Sequence, residues 1–281
     1  MPESADFTNH QVGGYRLVQR INIGGFSSIW RGREADRPES EAAIKIMRPH
    51  AAQSSEARQM FRHEWKIARR FEHARLLLYY GYGTHRSLPY VTMEYFPGKS
   101  LRRLLTDDAG AVRGAAPAII SQVAEALQYI HTLGVVHCDL KPENVLIGKG
   151  RQVRLIDFSI AQTRWQRRLS VSRKIHGTPA YLSPEQLRRE RITPRSDLYS
   201  LGVICFEVLA GRALFTGRDA KAVMQQHVAT TPPRLSLLNP QVSTAMDRLV
   251  ADLLAKDPNL RPRSAREVLR RLSSADMYIL A

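Results

Sequence analysis

The stretch VVHCDLKPENVLI, residues 135–147, places a polar loop between two apolar runs. The flanking runs are typical of short buried strands, so they predict a loop that is held at both ends. Such a loop can direct an acid, a base and an amide at one point, and Asp139, Lys141 and Asn144 supply those groups. The thiol of Cys138, directly before the aspartate, needs a separate explanation.

The length and composition indicate a soluble, globular protein. The chain has 281 residues and 43% hydrophobic content, enough for one large domain or two small ones that share a cleft. No apolar run approaches the roughly 18 residues that a membrane span needs. The N-terminus, MPESADFTNH, carries acids and no apolar core, so it is not a secretory signal. Cys138 and Cys205 are too few for a disulfide framework, and we expect a reducing, cytoplasmic setting.

The charge is strongly basic, +16 from 42 Lys+Arg against 26 Asp+Glu. Such an excess favours anionic partners such as nucleotides, acidic protein surfaces, nucleic acid or anionic lipid. The arginines are scattered, however, and are not interleaved with aromatic residues in the way of a single-strand platform. We therefore do not expect nucleic acid to be the main partner.

The hydrophobic pattern changes near Pro97-Gly98. Before that point, alternation predicts an antiparallel meander over 15–47 and strands around 76–82 and 89–95, with one helix over 54–71. After it, helical periods dominate, over residues 116–133, 197–210, 242–255 and 264–273. These patterns predict a small β-rich lobe and a larger helical lobe, hinged near 94–99, with a ligand cleft between them.

Three sequence features of the first lobe are candidates for a role in ligand binding or catalysis. The segment INIGGFSSIW, residues 21–30, is a strand-turn-strand that fits a phosphate-covering loop and equally an ordinary Gly-Gly hairpin. Lys45 interrupts the apolar strand AAIKI, although lysines on strands are usually solvated edge residues. Glu64 lies on the largely apolar face of the predicted helix, where a carboxylate requires a cation, and Lys45 is available.

In the second lobe, the polar loop is joined by VRLIDFSIA, residues 153–161, where Asp157 ends an apolar strand. A carboxylate there is a metal ligand or simply caps the next turn. Each feature is ambiguous alone, but together, in this order and spacing, they resemble the eukaryotic-type (Hanks-type) Ser/Thr protein kinase domain in its bacterial branch. The resemblance covers about residues 13–273.

The resemblance implies an α+β, bilobal protein-kinase fold. Its N-lobe, 13–95, is expected to be a small antiparallel β-rich unit with one long helix. Its C-lobe, 96–281, is expected to be larger and mainly helical, and residues 1–12 form an N-terminal extension.

The resemblance also implies ATP and Mg²⁺ (or Mn²⁺) as cofactors. Lys45 holds the α- and β-phosphates, and Glu64 fixes Lys45. Asp139 accepts the proton of the substrate hydroxyl or orients it, and Lys141 stabilises the transferring phosphoryl group. Met93 gates the adenine pocket, and Asn144 and Asp157 bind the metal. The residues implied to surround the nucleotide are Ile21, Asn22, Gly24, Gly25, Ser27, Ile29, Ala43, Lys45, Met93, Glu94, Phe96, Asn144 and Asp157.

Supporting residues follow from the same resemblance. In HGTPAYLSPEQ, residues 176–186, Thr178 is implied to brace Asp139 and Lys141. Glu185 is implied to pair with Arg261 as a buried ion pair. Asp197 is implied to anchor the backbone of the polar loop.

Several positions depart from the family pattern. Asn22 and Ser27 replace two of the three spaced glycines, which predicts a stiffer loop that still covers ATP. Ser159 follows Asp157-Phe158 where the family usually has glycine, so rearrangement there should be harder. Cys138 stands where family members switched on by activation-loop phosphorylation usually carry arginine, and a neutral thiol cannot pair with a phosphate.

Cys138 thus predicts activity that does not require phosphorylation of the activation loop. In a second interpretation, the basic segment 164–174 supplies a substitute receiver, attracts acidic substrates, or is simply a solvated loop. Self-association for autophosphorylation, at Ser170, Ser172 or Thr178, is a hypothesis from position and hydroxyl group alone.

Two functions from different classes remain. One is an active Ser/Thr kinase with protein substrates, acidic ones among them. The other is a pseudokinase that binds nucleotide or a partner as a scaffold. Every charged group that phosphoryl transfer requires is present, which favours the enzyme.

Overall fold

The structure, a computed structural model, describes residues 6–37, 39–164, 166 and 177–273. The chain separates into two compact units, Met1–Pro97 and Gly98–Ala281. The predicted lobe boundary, between residues 95 and 96, falls just before this division. Each unit has its own sheet and its own buried side chains, so each is described separately.

Unit 1 is built on a six-stranded antiparallel sheet in the order β1-β2-β3-β4-β6-β5. The predicted meander and the two later strands are therefore present. The strands are β1 Gln11–Val12, β2 Tyr15–Ile23, β3 Ser27–Glu34, β4 Glu41–Met47, β5 Tyr79–His85 and β6 Leu88–Glu94.

One long helix, α1 Ser55–Ala68, packs on this sheet. It begins where predicted, because the Ser54 side chain accepts a hydrogen bond from the Ala57 N–H as an N-cap. Its inward residues include Phe61, Ile67 and Glu64, so one carboxylate is buried among apolar side chains.

The core of unit 1 extends further toward the N-terminus than the predicted domain. Phe7 and Val12 are buried with Leu17, Trp30 and Ile44 in one cluster. The predicted boundary after residue 12 therefore does not coincide with an edge of the core. The segment is too short to show a periodic pattern, which is why the sequence did not reveal its packing.

Unit 2 begins with two small sheets. A three-stranded sheet has the order β10-β9-β7, and a two-stranded sheet pairs β11 with β8. The strands are β7 Gly98–Ser100, β8 Val135–Val136, β9 Val145–Gly148, β10 Val153–Leu155 and β11 Gln162–Thr163. The two apolar runs around the polar loop are thus strands β8 and β9, as predicted.

The rest of unit 2 is mainly helical. Its described helices are α2 Leu101–Asp107, α3 Ala109–Gly114, α4 Ala116–Thr132, α5 Pro184–Leu187, α6 Pro194–Ala210, α7 Ala220–Ala229, α8 Thr244–Leu253 and α9 Ala265–Leu272. Helix α6 is the centre of the unit, since its residues 196–209 are all buried. Within the described ranges, the structure has no helix that is both long and apolar enough to cross a bilayer.

Candidate active site

Lys45 lies on an interior strand of unit 1. It belongs to β4, where it pairs with Ile29 of β3 and Val91 of β6, so it is not a solvated edge residue. Its side chain is 15% exposed, and its Nζ donates to Glu64 Oε2 at 2.6 Å. The cation that Glu64 was predicted to require is therefore Lys45.

Glu64 is held from a second side by a residue that the sequence did not reveal. The Tyr79 hydroxyl, on β5, donates to Glu64 Oε1 at 2.8 Å. Lys45 and Tyr79 thus contact different oxygens of a carboxylate whose side chain is 3% exposed. Both contacts restrict where the ammonium of Lys45 can lie.

The glycine-rich segment forms the turn between β2 and β3, with a hydrogen bond from Gly24 N–H to Ser27 O at 2.8 Å. Asn22 lies within β2, and its side-chain oxygen accepts from the Ile23 N–H at 2.8 Å. Asn22 therefore has strand geometry, and the position does not require the left-handed backbone that asparagine and glycine tolerate.

The tip of this turn is tethered to the chain after β4. Arg48 Nη1 donates to Gly24 O at 3.1 Å, His50 Nε2 to Gly25 O at 2.8 Å, and Arg48 N–H to Phe26 O at 2.9 Å. These contacts hold the backbone carbonyls of Gly24, Gly25 and Phe26. They support the expectation of a stiffened loop.

The remaining nucleotide-site candidates of unit 1 lie on the same sheet. Met93 and Glu94 pair with Ala43 and Ala42 across β6 and β4, and Met93 is 4% exposed. Ile29 and Ser27 belong to β3, Ile21 belongs to β2, and Phe96 follows β6.

The polar loop of unit 2 brings three candidate side chains into direct contact. Lys141 Nζ donates to Asp139 Oδ2 at 2.6 Å and to Thr178 Oγ1 at 2.7 Å. The Thr178 N–H donates to Asp139 Oδ1 at 3.0 Å. Both oxygens of Asp139 are therefore fixed, and the predicted brace by Thr178 exists.

Asn144 and Asp157 are brought together by strand pairing. Asn144 directly precedes β9 and Asp157 follows β10, and these strands run antiparallel with Leu155 opposite Val145. The Ile156 N–H donates to Asn144 O at 2.9 Å, which extends the pairing to the loop ends. Asn144 Nδ2 donates to Asp139 O at 2.9 Å, so the amide nitrogen faces Asp139 and the side-chain oxygen is the atom that could bind a metal.

This donor set fits magnesium. Among the described residues there is no cluster of three or more His, Cys, Asp or Glu side chains that could hold a metal. Mg²⁺ commonly binds one or two carboxylates together with phosphates and waters, not an all-protein cage. One carboxylate, Asp157, and one amide oxygen, Asn144, are sufficient for a metal that arrives with a nucleotide.

The backbone of the polar loop is anchored from α6. Asp197, 1% exposed, accepts from the N–H groups of His137 at 2.9 Å and Cys138 at 3.0 Å, and from His131 Nε2 at 2.8 Å. Burial alone would raise the pKa of the Asp197 carboxyl, but the hydrogen bond and charge of His131 outweigh it and lower that pKa. The predicted anchoring role of Asp197 is confirmed by these contacts.

The described segment that begins at Gly177 is also firmly attached, and we call residues 177–187 the anchored segment. Gly177 has φ +113°, and a Cβ there would lie 2.7 Å from Leu182. Glu185 forms a two-pronged ion pair with Arg261 at 2.8 and 2.9 Å, and both side chains are buried. The charge of Arg261 holds the pKa of Glu185 below its ordinary value despite the burial, which alone would raise it. The predicted pair is confirmed.

A further charged group, centred on Arg102 of α2, was not predicted. Its guanidinium donates to Glu143 of the polar loop at 2.8 Å, to Glu207 of α6 at 2.6 Å and to the Tyr181 hydroxyl. Tyr181 in turn donates to Glu207 at 2.5 Å. Burial and the Glu207 charge raise the pKa of Tyr181, so the hydroxyl stays a donor. Arg102 therefore links the polar loop, the anchored segment and α6.

A family model described as "Protein kinase domain" matches residues 15–272. The chain belongs to the protein kinase family. Its fold, a small antiparallel sheet unit with one long helix and a larger mainly helical unit, is the protein-kinase fold. A double mutant of the kinase domain of PknI from Mycobacterium tuberculosis superimposes with a TM-score of 0.74 and 25% identity, over 95% of this chain and 98% of that one.

Curated relatives in this family are bacterial Ser/Thr protein kinases. PknB of Mycolicibacterium smegmatis is 34% identical over 92% of this chain, and a probable serine/threonine-protein kinase of Streptomyces coelicolor is 33% identical over 91%. PrkC of Bacillus subtilis is 31% identical over 91%. The chain spans 42% of the length of the first of these relatives and 39% of each of the other two.

Some of the residues that shape this kinase site had weak signals in the sequence. Gln186 follows Ser183 at capping-box spacing, so a local role was visible, but not its contact with the polar loop. Tyr79, Arg48 and Arg102 carried no signal, because their partners are distant in the chain. The basic residues Arg167, Arg168, Arg173 and Lys174 and the hydroxyls of Ser170 and Ser172 lie outside the described residues.

Proposed function

We propose that this chain is a Ser/Thr protein kinase that transfers the γ-phosphate of ATP, bound with Mg²⁺ or Mn²⁺, to hydroxyl groups of protein substrates. The observation that carries the proposal is the joint placement of Asp139, Lys141 and Thr178, with Asp139 held through both oxygens. Phosphoryl transfer depends on positioning and charge stabilisation more than on covalent chemistry. A fixed carboxylate beside a fixed ammonium suits that reaction.

The residues of the polar loop take separate roles in this proposal. Asp139 orients the acceptor hydroxyl and receives its proton. Lys141 stabilises the negative charge of the transferring phosphoryl group. Asn144 and Asp157 hold the metal, and bound Mg²⁺ supplies neutralisation of the phosphate charge.

Unit 1 supplies the proposed nucleotide contacts. Lys45, oriented by Glu64, binds the α- and β-phosphates. Backbone groups around Glu94 and Phe96 bind the adenine, and Met93 limits the depth of its pocket. The β2–β3 turn, with its tethered glycine carbonyls, covers the phosphates.

We further propose that activity does not require phosphorylation of the activation loop. Cys138 is 5% exposed and its Sγ lies 3.5 Å from Val136 O, so the thiol faces inward and carries no charge for a phosphate. The anchored segment is instead attached to the polar loop by Thr178 and Gln186. Both contacts are donated by groups of the chain itself, the Thr178 N–H and the Gln186 amide.

The pseudokinase alternative has less support. It rests on Asn22, Ser27, Cys138 and Ser159, and none of these supplies a charged group for the reaction. Each required charged group is present, and the two in the polar loop, Asp139 and Lys141, contact each other directly.

The charge of +16 favours acidic protein substrates over basic ones. Thr178 is a poor acceptor for autophosphorylation, since its hydroxyl already accepts from Lys141. Ser170 and Ser172 stay as hypotheses, to be tested by phosphopeptide mapping. Cys138 and Cys205 are buried and form no disulfide, which fits the proposed reducing, cytoplasmic setting.

The test is radiolabelled phosphate transfer from Mg-ATP to the protein itself and to an acidic and a basic protein substrate. Wild type, pretreated with phosphatase, is compared with Asp157→Asn. Transfer that survives phosphatase and disappears in the variant supports the proposal. Transfer lost after phosphatase treatment contradicts phosphate independence, and ATP binding without transfer supports the pseudokinase.

A further inference from the structure

Gln186, on α5 of the anchored segment, connects that segment to the polar loop. Its Nε2 donates to Cys138 O at 2.8 Å, and its Oε1 accepts from the Ser183 N–H at 3.0 Å and the Ser183 hydroxyl at 2.9 Å. The side chain is buried, and its two ends therefore bind two different segments. An uncharged amide that is both donor and acceptor suits this position.

The carbonyl that Gln186 contacts belongs to a residue with unusual backbone geometry. Cys138 has φ +68°, a left-handed conformation that non-glycine residues rarely adopt and that costs about 1–3 kcal/mol. Such a conformation persists only where neighbouring groups hold it. Here Asp197 accepts from the Cys138 N–H, and Gln186 donates to the Cys138 carbonyl.

The Cys138 carbonyl also sets the position of Asp139. This carbonyl and the Asp139 N–H belong to one planar peptide unit, so fixing one end of the plane fixes the other. Thr178 holds the carboxylate of Asp139, whereas Gln186 holds the peptide that carries it. One contact therefore restricts the Asp139 carboxylate, and the other restricts the peptide group that precedes Asp139.

We propose that Gln186 is a positioning residue of the phosphoryl-transfer site. Through the Cys138 carbonyl, it keeps Asp139 aligned with the anchored segment. This inference rests on the proposed kinase activity.

The test compares Gln186→Met and Gln186→Glu with wild type in steady-state kinetics. The methionine variant loses both ends of the connection. The glutamate variant keeps an acceptor for Ser183 but, when ionised, presents a carboxylate to the Cys138 carbonyl. We expect kcat/KM for the protein substrate to fall on the order of ten- to a hundred-fold in both variants at pH 8, with the KM for ATP unchanged.

The pH dependence separates positioning from a general structural role. A protonated glutamate can donate to the Cys138 carbonyl, so the deficit of Gln186→Glu should shrink relative to wild type as the pH falls from about 8 to 6. The deficit of Gln186→Met should stay constant. Gln226→Met is the matched control, because Gln226 Nε2 also donates to a backbone carbonyl, Thr216 O at 2.7 Å, away from the polar loop.

The outcomes are distinguishable. Wild-type kcat/KM in Gln186→Met, or a pH-independent deficit in Gln186→Glu, overturns the inference and leaves the kinase proposal standing. If wild type binds ATP but transfers no phosphate, the kinase proposal fails first. If Gln186→Met does not fold, the pH profile of Gln186→Glu decides.

Discussion

Replacing Tyr79 by phenylalanine tests whether the Lys45–Glu64 ion pair depends on the hydrogen bond that Tyr79 donates to Glu64. The substitution removes one hydroxyl and keeps the ring, so Glu64 Oε1 loses the donor at 2.8 Å while the Lys45 contact on Oε2 is retained. A hydrogen bond to a charged group contributes about 1.5–3 kcal/mol. We expect the free energy of unfolding to fall by about that amount, because the carboxylate is nearly fully buried.

Activity should fall as well, through the position of Lys45. With one side of Glu64 released, we expect kcat/KM for ATP to decrease about tenfold, which corresponds to ~1.4 kcal/mol of transition-state stabilisation. Lys45→Met, by contrast, should remove measurable transfer. The measurement is steady-state phosphate transfer at varied ATP, with urea unfolding of the same preparations.

Tyr82→Phe is the matched control for Tyr79→Phe. Tyr82 lies on the same strand and also contacts α1, where its ring stacks on Trp65 at 6.4 Å. Its hydroxyl does not reach the Lys45–Glu64 pair, so its loss should leave the kinetics for ATP unchanged. Wild-type kinetics and stability in Tyr79→Phe, or equal losses in both variants, would refute the reasoning.

Four further predictions concern unit 2. Arg261→Met leaves Glu185 buried without its guanidinium partner and should cost about 3–5 kcal/mol in urea unfolding, most of it recovered when Glu185→Met is added. Because the pKa of Glu185 is lowered in the folded protein, its ionised carboxylate contributes fully to the free energy of unfolding above the ordinary pKa of 4.5, and this contribution is lost as the pH falls through the folded pKa. Glu185→Gln should therefore reduce the dependence of the free energy of unfolding on pH in this acidic range. Arg102→Met should lower kcat/KM for the protein substrate about tenfold with the KM for ATP unchanged, and a defect confined to ATP would contradict this role. Burial lowers the pKa of His227 to about 4, so wild-type stability should decline from about pH 6.5 toward 4 more steeply than that of His227→Phe; equal slopes would contradict it.

The elements with strong periodic burial were predictable from the sequence. The strands of unit 1 alternate, and α4 and α6 carry long apolar patterns. Helices α2, α3, α5 and α7 of unit 2 were not predicted, and the burial of two of them gives a physical reason. In Leu101–Asp107 one residue is buried, Leu101, and in Ala220–Ala229 one is buried, His227, so neither segment shows an apolar period.

In the candidate site, too, the contacts that follow from a local sequence pattern were predictable. The Lys45–Glu64 pair was predictable because a carboxylate on an apolar helix face requires a cation. The contacts of Arg102 with Glu207 and of Gln186 with Cys138 join residues 105 and 48 positions apart. No local pattern encodes such pairs, since they depend on how the helices and loops pack.

The ion pair between Glu185 and Arg261 affects when the anchored segment can dock as the chain is synthesised. The two residues are 76 positions apart, and Arg261 follows α8, so the ribosome completes most of unit 2 before the guanidinium is available. Until then, burying the Glu185 carboxylate would leave it unpaired, which is unfavourable by several kcal/mol. A nascent chain is therefore expected to leave its anchored segment undocked, with Thr178 away from Asp139, until residue 261 has emerged. The same pair that stabilises the finished protein would keep an unfinished one from transferring phosphate.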